Sequence, residues 1–90
     1  MDQEESLATV EQLRAARAML GWSQTELALR AGLSLPTVKR VEGGFGPNVS
    51  AESRAKLESA LENAGIEFIE ENGNALGVQL RKHGKRKPRR

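Results

Sequence analysis

The side chains of this 90-residue chain that are best suited to chemistry are basic, and they are unevenly distributed. Seven of the 14 lysines and arginines lie in the last ten positions, which contain no acidic residue. Residues 1–80 therefore carry seven basic and 12 acidic side chains, a balance of −5. A body of that charge does not bind polyanions in general, so any affinity for phosphate must come from a local basic patch together with the tail.

The residue types that catalysis or metal binding needs are scarce. The chain has no cysteine, and its one histidine, His83, lies in the tail. Neither a thiolate site nor a histidine cluster can form within one chain, and no nucleophile–base set is present. We therefore expect no catalytic residues, no metal and no cofactor. No apolar run has the length of a membrane helix, and the acidic N-terminus is unlike a secretory signal, so we expect a soluble intracellular protein without membrane contact.

The stretch Gln24–Glu42 reads as two short amphipathic helices joined by a tight turn. Ser23 is placed to cap the first of them, and Glu26 sits at the reciprocal position of a capping box. Gly32 can adopt the left-handed conformation that ends a helix. Ser34 then caps a second helix, whose apolar positions are Val38 and Val41. Two helices separated by so few residues must cross sharply, as in a helix-turn-helix unit.

The flanking sequence predicts two more helices and a hairpin. Thr9 and Gln12 form a capping-box pattern that begins a helix over about residues 10–20, and Ser50 begins another over about residues 51–63. Residues 66–70 and 77–80 alternate in polarity around the turn signal Asn-Gly-Asn at 72–74, which indicates a β-hairpin. The predicted fold is mainly α, with four compact helices, a C-terminal β-hairpin and a basic tail.

Several residues at fixed positions resemble a known family. A small residue stands in the first helix, glycine stands in the turn with a hydrophobe after it, and two apolar residues lie three apart in the second helix; these are Ala28, Gly32, Leu33, Val38 and Val41. The Ser-Gln-x-Glu-Leu-Ala opening and the Arg-Val-Glu-x-Gly ending fit the same pattern. Roughly residues 9–64 resemble the phage repressor/Cro type, the XRE family of bacterial transcription regulators. The resemblance implies a lambda-repressor-like fold and a protein of the bacterial cytoplasm, associated with the nucleoid when bound.

The resemblance places the second helix of the motif in the major groove of DNA. The base-facing positions are then Leu35, Pro36, Lys39 and Arg40. Arg40 or Lys39 can donate to guanine O6 and N7, although a salt bridge from Arg40 to Glu26 or Glu42 is the alternative. Leu35 and Pro36 depart from the family, which often has hydrogen-bonding side chains there. They can touch only thymine methyl groups or the sugar edge, which moves specificity onto Lys39, Arg40 and DNA shape.

Other polar residues are candidates for phosphate contact. Gln24 and Ser34 lie at helix N-termini, and Thr37 and Asn48 are further candidates. Local capping is the competing explanation for each of them; Ser34 can do both, and the local explanation is strongest for Asn48, which a Pro-Asn turn favours. The tail is expected to be disordered and to add salt-dependent, non-specific affinity for DNA, or simply to aid solubility. Its cationic residues are Lys82, Lys85, Arg86, Lys87, Arg89 and Arg90.

An isolated hairpin is marginally stable, so the predicted one must pack on something. Pairing with the hairpin of a second copy would create a sheet and a dimer together, with the apolar residues Ile66, Phe68, Ile69, Val78 and Leu80 at the contact. The alternative is a hairpin folded onto its own fourth helix. The chain then divides into a flexible N-terminus (1–8), a helix-turn-helix DNA-binding domain (9–64), a dimerising hairpin (65–81) and a disordered basic tail (82–90).

Two classes of function follow. The first is a sequence-specific, dimeric DNA-binding regulator, most simply a repressor that occupies an operator on double-stranded DNA. A variant of it is the autoregulating antitoxin of a toxin–antitoxin pair, which also needs a toxin-binding surface. The second class is a protein-interaction adaptor that reuses the fold, with a partner such as polymerase.

Overall fold

The computed structural model describes residues 8–44, 50–70 and 76–81. Four helices come first, followed by two strands. Their bounds are α1 Val10–Leu20, α2 Gln24–Ala31, α3 Leu35–Glu42, α4 Ala51–Asn63, β1 Ile66–Glu70 and β2 Leu76–Leu80. None of the helices in these ranges has the length and hydropathy that crossing a membrane requires.

Local capping chemistry sets the helix ends. At each N-terminus a hydroxyl oxygen accepts a hydrogen bond from the backbone N–H three residues on, and the capping residues are Thr9, Ser23, Ser34 and Ser50. At α1 the box is reciprocal, because the Gln12 side chain also accepts from the Thr9 N–H. α1 and α2 both end at a glycine with a φ of 71°. The predicted positions of the helices are therefore confirmed.

The core lies where the four helices meet. Its largest fully buried side chains are Leu13, Leu27, Leu57, Leu61, Val38 and Val41. Ala16 and Ala28, which are also buried, are small enough to let neighbouring helices approach closely. Burying a leucine or valine side chain stabilises the fold by about 1.5–3 kcal/mol. The expected mainly α fold with an added hairpin is confirmed.

The hairpin packs on the helices of its own chain. β1 and β2 are antiparallel, with Phe68 opposite Val78, and they contact α4 and α1 respectively. Ile66 is only 4% exposed and belongs to the core, while Phe68 and Val78 are partly buried against it. The hairpin therefore completes the core of one chain, on α1 as well as on the fourth helix.

Gln12 connects the start of α1 to the hairpin. Its side-chain Nε2 donates to the backbone oxygens of Ile69 (3.2 Å) and Gly77 (2.8 Å), one on each strand. Its Oε1 accepts from the Thr9 N–H at 3.0 Å. One amide that is 6% exposed thus caps a helix and holds two strands against it.

Ala8 is part of the packed body, although it falls within the segment expected to be flexible. It is 6% exposed, and its peptide groups are held from both sides by α4. Its N–H donates to the Glu58 carboxylate at 2.6 Å, and its carbonyl accepts from Arg54. The two α4 residues are four apart, so they lie on one face of the helix and hold the chain entering α1.

Candidate nucleic-acid interface

The turn between α2 and α3 sets how the two helices cross. Gly32 ends α2 with a φ of 71°, and the next residue, Leu33, donates its N–H to the carbonyl of Ala28 at 2.9 Å. A Cβ at Gly32 would meet nothing within 4 Å. The requirement for glycine therefore comes from the left-handed backbone and not from lack of space. The turn is short, so α3 begins almost where α2 ends and presents its outer face.

A buried carboxylate fixes the other end of α3. Glu42 is 4% exposed, and Arg17 of α1 grips it with two hydrogen bonds, Nε to Oε2 at 2.8 Å and Nη2 to Oε1 at 3.0 Å. Gln24, the first residue of α2, donates to the same Oε1 at 3.0 Å, and Arg14 donates to the Glu42 carbonyl at 3.2 Å. A paired and hydrogen-bonded charge is the form in which burial is tolerated. Three helices are thus joined at the last residue of α3.

The carboxylate of Glu26, the other expected partner of Arg40, also forms an ion pair. Glu26 accepts from Arg30, one turn along α2, at 2.6 Å, and the Arg30 guanidinium lies 4.6 Å from the centre of the Trp22 ring. Glu26 and Glu42 were the expected alternative partners of Arg40, and both pair with other arginines. Within the residues described, neither Lys39 nor Arg40 forms an ion pair.

The outer face of α3 combines apolar and cationic groups. Pro36, Lys39 and Arg40 are exposed, and Leu35 is partly buried. The helical spacing of four residues places Lys39 one turn beyond Leu35, and Arg40 one turn beyond Pro36. Pro36 lies in the first turn, where its missing N–H breaks no helical hydrogen bond.

The candidate phosphate contacts have local partners as well. The Ser34 hydroxyl accepts from the Thr37 N–H at 3.2 Å and shares a hydrogen bond with the Thr37 hydroxyl at 2.9 Å, while Gln24 binds Glu42. The structure thus shows the capping role of Ser34 and leaves its contact with phosphate a prediction. Asn48 and the tail cations Lys82, Lys85, Arg86, Lys87, Arg89 and Arg90 lie outside the described residues.

The candidate dimer residues differ in accessibility. Ile66 lies in the core, so it is not available to a partner surface. Phe68 and Val78 are partly covered by the core, and Ile69 is half-buried on the opposite face of the hairpin. Leu80, at the end of β2, is 36% exposed.

Two residues that shape the interface were missed in the sequence. The helical periodicity places Arg14 and Arg17 on the outside or along the edge of α1, and it does not indicate that they hold the end of α3 through Glu42, 28 and 25 residues away. The only sequence signal was the family-like Arg-Val-Glu ending, which marks Glu42 without naming its partner.

Within the described residues, neither a metal-binding cluster nor a carboxyl group with a raised pKa lies on the outer face of α3. No group of three or more metal-binding side chains occurs in the part of the chain that the structure describes. Partial burial raises the pKa of the Glu62 carboxyl, and the nearby Glu58 raises that pKa further. Both residues belong to α4 and not to the outer face of α3.

Comparison with protein families gives a match to most of the helical body. A helix-turn-helix family model matches residues 13–68, which include most of α1, all of α2 to α4, and the beginning of β1. No curated protein matches the chain. The matched region is well over half of the chain and contains both the turn at Gly32 and the junction at Glu42. The chain belongs to the XRE/Cro-type helix-turn-helix family, and is a DNA-binding transcription regulator.

Proposed function

We propose that this regulator is a dimeric repressor that reads operator half-sites with α3 in the major groove. The observation that carries the proposal is the exposure of Lys39 and Arg40 on α3, with the nearby carboxylates Glu26 and Glu42 occupied by other arginines. A lysine or arginine at such a position can donate to O6 and N7 of guanine, and a good bidentate contact gives about 1–3 kcal/mol of discrimination.

Phosphate contacts would set the register of the protein on the duplex. Helix N-termini attract anions, and Gln24 lies at that of α2, while Ser34 and Thr37 lie at that of α3. Asn48 and the tail complete the proposed contacts to phosphate. Because the body carries a net negative charge, the tail should contribute a large share of the salt-dependent affinity.

The division of labour we propose follows the chain. Residues 9–64 bind DNA, residues 65–81 dimerise and residues 82–90 add non-specific affinity. The protein works without catalysis, in the bacterial cytoplasm, and represses by occupying the operator. A reporter gene placed under the promoter of this protein's gene should be expressed more strongly when the protein is absent.

Support for a hairpin dimer comes from the two-stranded sheet, in which each strand has, among the residues that the structure describes, a strand neighbour on one side only. The Arg81 N–H donates to the Gly65 carbonyl at 3.0 Å, and in an antiparallel pair such bonded positions alternate. The N–H and C=O groups of Phe68 and Val78 therefore point away from the partner strand. A second copy can hydrogen-bond to one of these edges, and the two-fold axis would place two α3 helices on half-sites about 34–36 Å apart.

Titration against DNA from the protein's own promoter region tests the DNA-binding proposal. Lys39→Ala and Arg40→Ala should each weaken specific binding by about tenfold, while Lys56→Ala should leave it unchanged. Lys56 is a suitable control because it is exposed on α4 and pairs with Glu52 at 3.7 Å. Specific binding that neither α3 substitution affects would contradict the residue assignment. Binding no tighter than to random DNA would contradict the proposal and favour a protein-interaction adaptor.

Sedimentation of point variants tests the dimer better than deleting the hairpin, because deletion would remove Ile66 from the core. Leu80→Lys should shift the mass from dimer towards monomer. Met19→Lys is the matched control, since Met19 is an apolar residue of α1, 45% exposed, that lies outside the hairpin. A dimer that survives Leu80→Lys unchanged, or a wild-type monomer at micromolar concentration, would exclude this interface.

A further inference from the structure

We propose that the apolar start of α3 reads the 5-methyl group of thymine, so that each half-site carries a thymine next to, or one base away from, a guanine. The inference rests on the proposed function, because it concerns the base sequence that α3 meets in the major groove. It assigns a specific role to Leu35 and Pro36, which cannot hydrogen-bond through their side chains.

The arrangement on α3 places each apolar residue one helical turn before a cation. Leu35 precedes Lys39, and Pro36 precedes Arg40, at a spacing of four residues along the same face. One turn advances about 5.4 Å, which lies between one and two base steps of about 3.4 Å. A helix lying along the groove therefore brings an apolar contact and a guanine-binding cation to bases at most two steps apart.

Thymine is the base that an apolar side chain can recognise in the major groove. Its methyl group is the one apolar feature among the base edges, whereas the other edges present N–H donors or N and O acceptors. Leu35 or Pro36 packed on one of those polar groups would remove water from it without replacing the hydrogen bond, which is unfavourable. The two residues therefore favour thymine and act against polar edges at the same position.

Rigidity strengthens this contact. Proline has essentially no side-chain rotamer freedom to lose when it is covered, and Leu35 is already partly buried in the free protein. The Ser34 cap and the Glu42 junction hold the two ends of the eight-residue helix. The apolar pair is thus presented in a nearly fixed position, and little conformational entropy is lost when it meets a methyl group.

Replacing thymine by deoxyuridine tests the proposal, because it removes the methyl group and leaves every hydrogen-bonding group unchanged. The site is first obtained by selection of random duplexes with the full-length protein, and each thymine of a half-site is then replaced in turn. At one or two thymines within two steps of a guanine, affinity should fall about fourfold per methyl group. In Leu35→Ala or Pro36→Ala the ratio of the affinity for the thymine site to the affinity for the uracil site should fall towards one.

Leu29→Ala is the matched control, since Leu29 is a leucine of α2 that is 75% exposed, and it should keep the difference. Thermal unfolding of each variant separates loss of fold from loss of contact, and the exposed Pro36 gives a second variant if Leu35→Ala does not fold. Equal affinity for thymine and uracil throughout a selected site would overturn the inference and leave the proposed function intact. A difference that persists in both α3 variants would overturn it as well. Failure to select any site would instead contradict the proposed function.

Discussion

Replacing Gln12 by glutamate changes one atom in the contact that joins α1 to the hairpin. In the native protein Gln12 Nε2 donates to the carbonyls of Ile69 and Gly77, at 3.2 and 2.8 Å, and Oε1 accepts from the Thr9 N–H. Gln12→Glu keeps the helix cap. It replaces the two donated hydrogen bonds by a carboxylate oxygen that faces two carbonyl oxygens.

The magnitude follows from the contacts that are lost. Two hydrogen bonds contribute about 1 kcal/mol each to stability, and an ionised carboxylate in a site that is 6% exposed costs at least about 1 kcal/mol more. We expect Gln12→Glu to lower the free energy of unfolding by about 3 kcal/mol at about pH 7. A domain of this size is stable by about 5–15 kcal/mol, so the variant should fold but melt well below the wild type.

The destabilisation caused by Gln12→Glu should grow as the pH rises. Burial against carbonyl oxygens raises the pKa of the introduced carboxyl group above its unfolded value, so the folded variant binds a proton that the unfolded chain releases. The loss of unfolding free energy relative to the wild type should therefore be smallest below about pH 4, where a protonated carboxyl can donate one hydrogen bond. This loss should grow as the pH rises from there towards neutrality.

Urea unfolding followed by far-ultraviolet circular dichroism at several pH values measures this effect, with Gln12→Met as the matched control. Methionine has a similar length but neither hydrogen-bonds strongly nor titrates, so all three side-chain hydrogen bonds of Gln12 are lost. Its loss of about 3 kcal/mol in the free energy of unfolding should not vary with pH relative to the wild type. If the loss of unfolding free energy in Gln12→Glu were as independent of pH as that in Gln12→Met, position 12 would not face the strand carbonyls, which would refute the assignment of these contacts.

Three further predictions concern the helix-turn-helix unit. Glu42→Gln should lower the free energy of unfolding by about 3 kcal/mol in urea unfolding, because Arg17 loses its charge partner at a buried site; a loss below about 1 kcal/mol would contradict the importance of that pair. Gly32→Ala should cost about 1 kcal/mol through its positive φ alone, and a neutral effect on thermal unfolding would argue against the left-handed turn. Ser34→Ala and Ser50→Ala should each cost about 1 kcal/mol as lost caps, but only Ser34→Ala should also weaken DNA binding in a titration. If these two variants bound DNA with equal affinity, Ser34 would not contact phosphate.

The parts of the fold that could be predicted are those that local chemistry decides. The capping residues Ser23 and Ser34 and the glycine at 32 act within one helical turn, so their effect is visible in a short stretch of sequence. The hairpin likewise follows from alternation and a turn signal. The residues of α3 that we propose to read bases could be named only through the resemblance to the family.

The parts that could not be predicted depend on partners far along the chain. Gln12 reads as a capping residue, yet its amide also binds backbone groups 57 and 65 residues away. The sequence indicates Glu42 as an alternative partner of Arg40, whereas the packing of α1 on α3 brings Arg17 beside it instead. Ala8 has no local signal at all, because its order comes from Arg54 and Glu58 on α4.

The junction at Glu42 holds the last residue of α3 against α1 and α2, and so helps to set the tilt of the helix. About 10 Å of helix axis separates Glu42 from Leu35, so a tilt of about 5° about the junction displaces the start of the helix by about 1 Å. An error of that size is enough to spoil a hydrogen bond or a methyl contact at a base edge. Arg17, on another helix, therefore helps to orient Leu35 and Pro36, and the base discrimination that we propose for them would depend on an ion pair at the opposite end of α3.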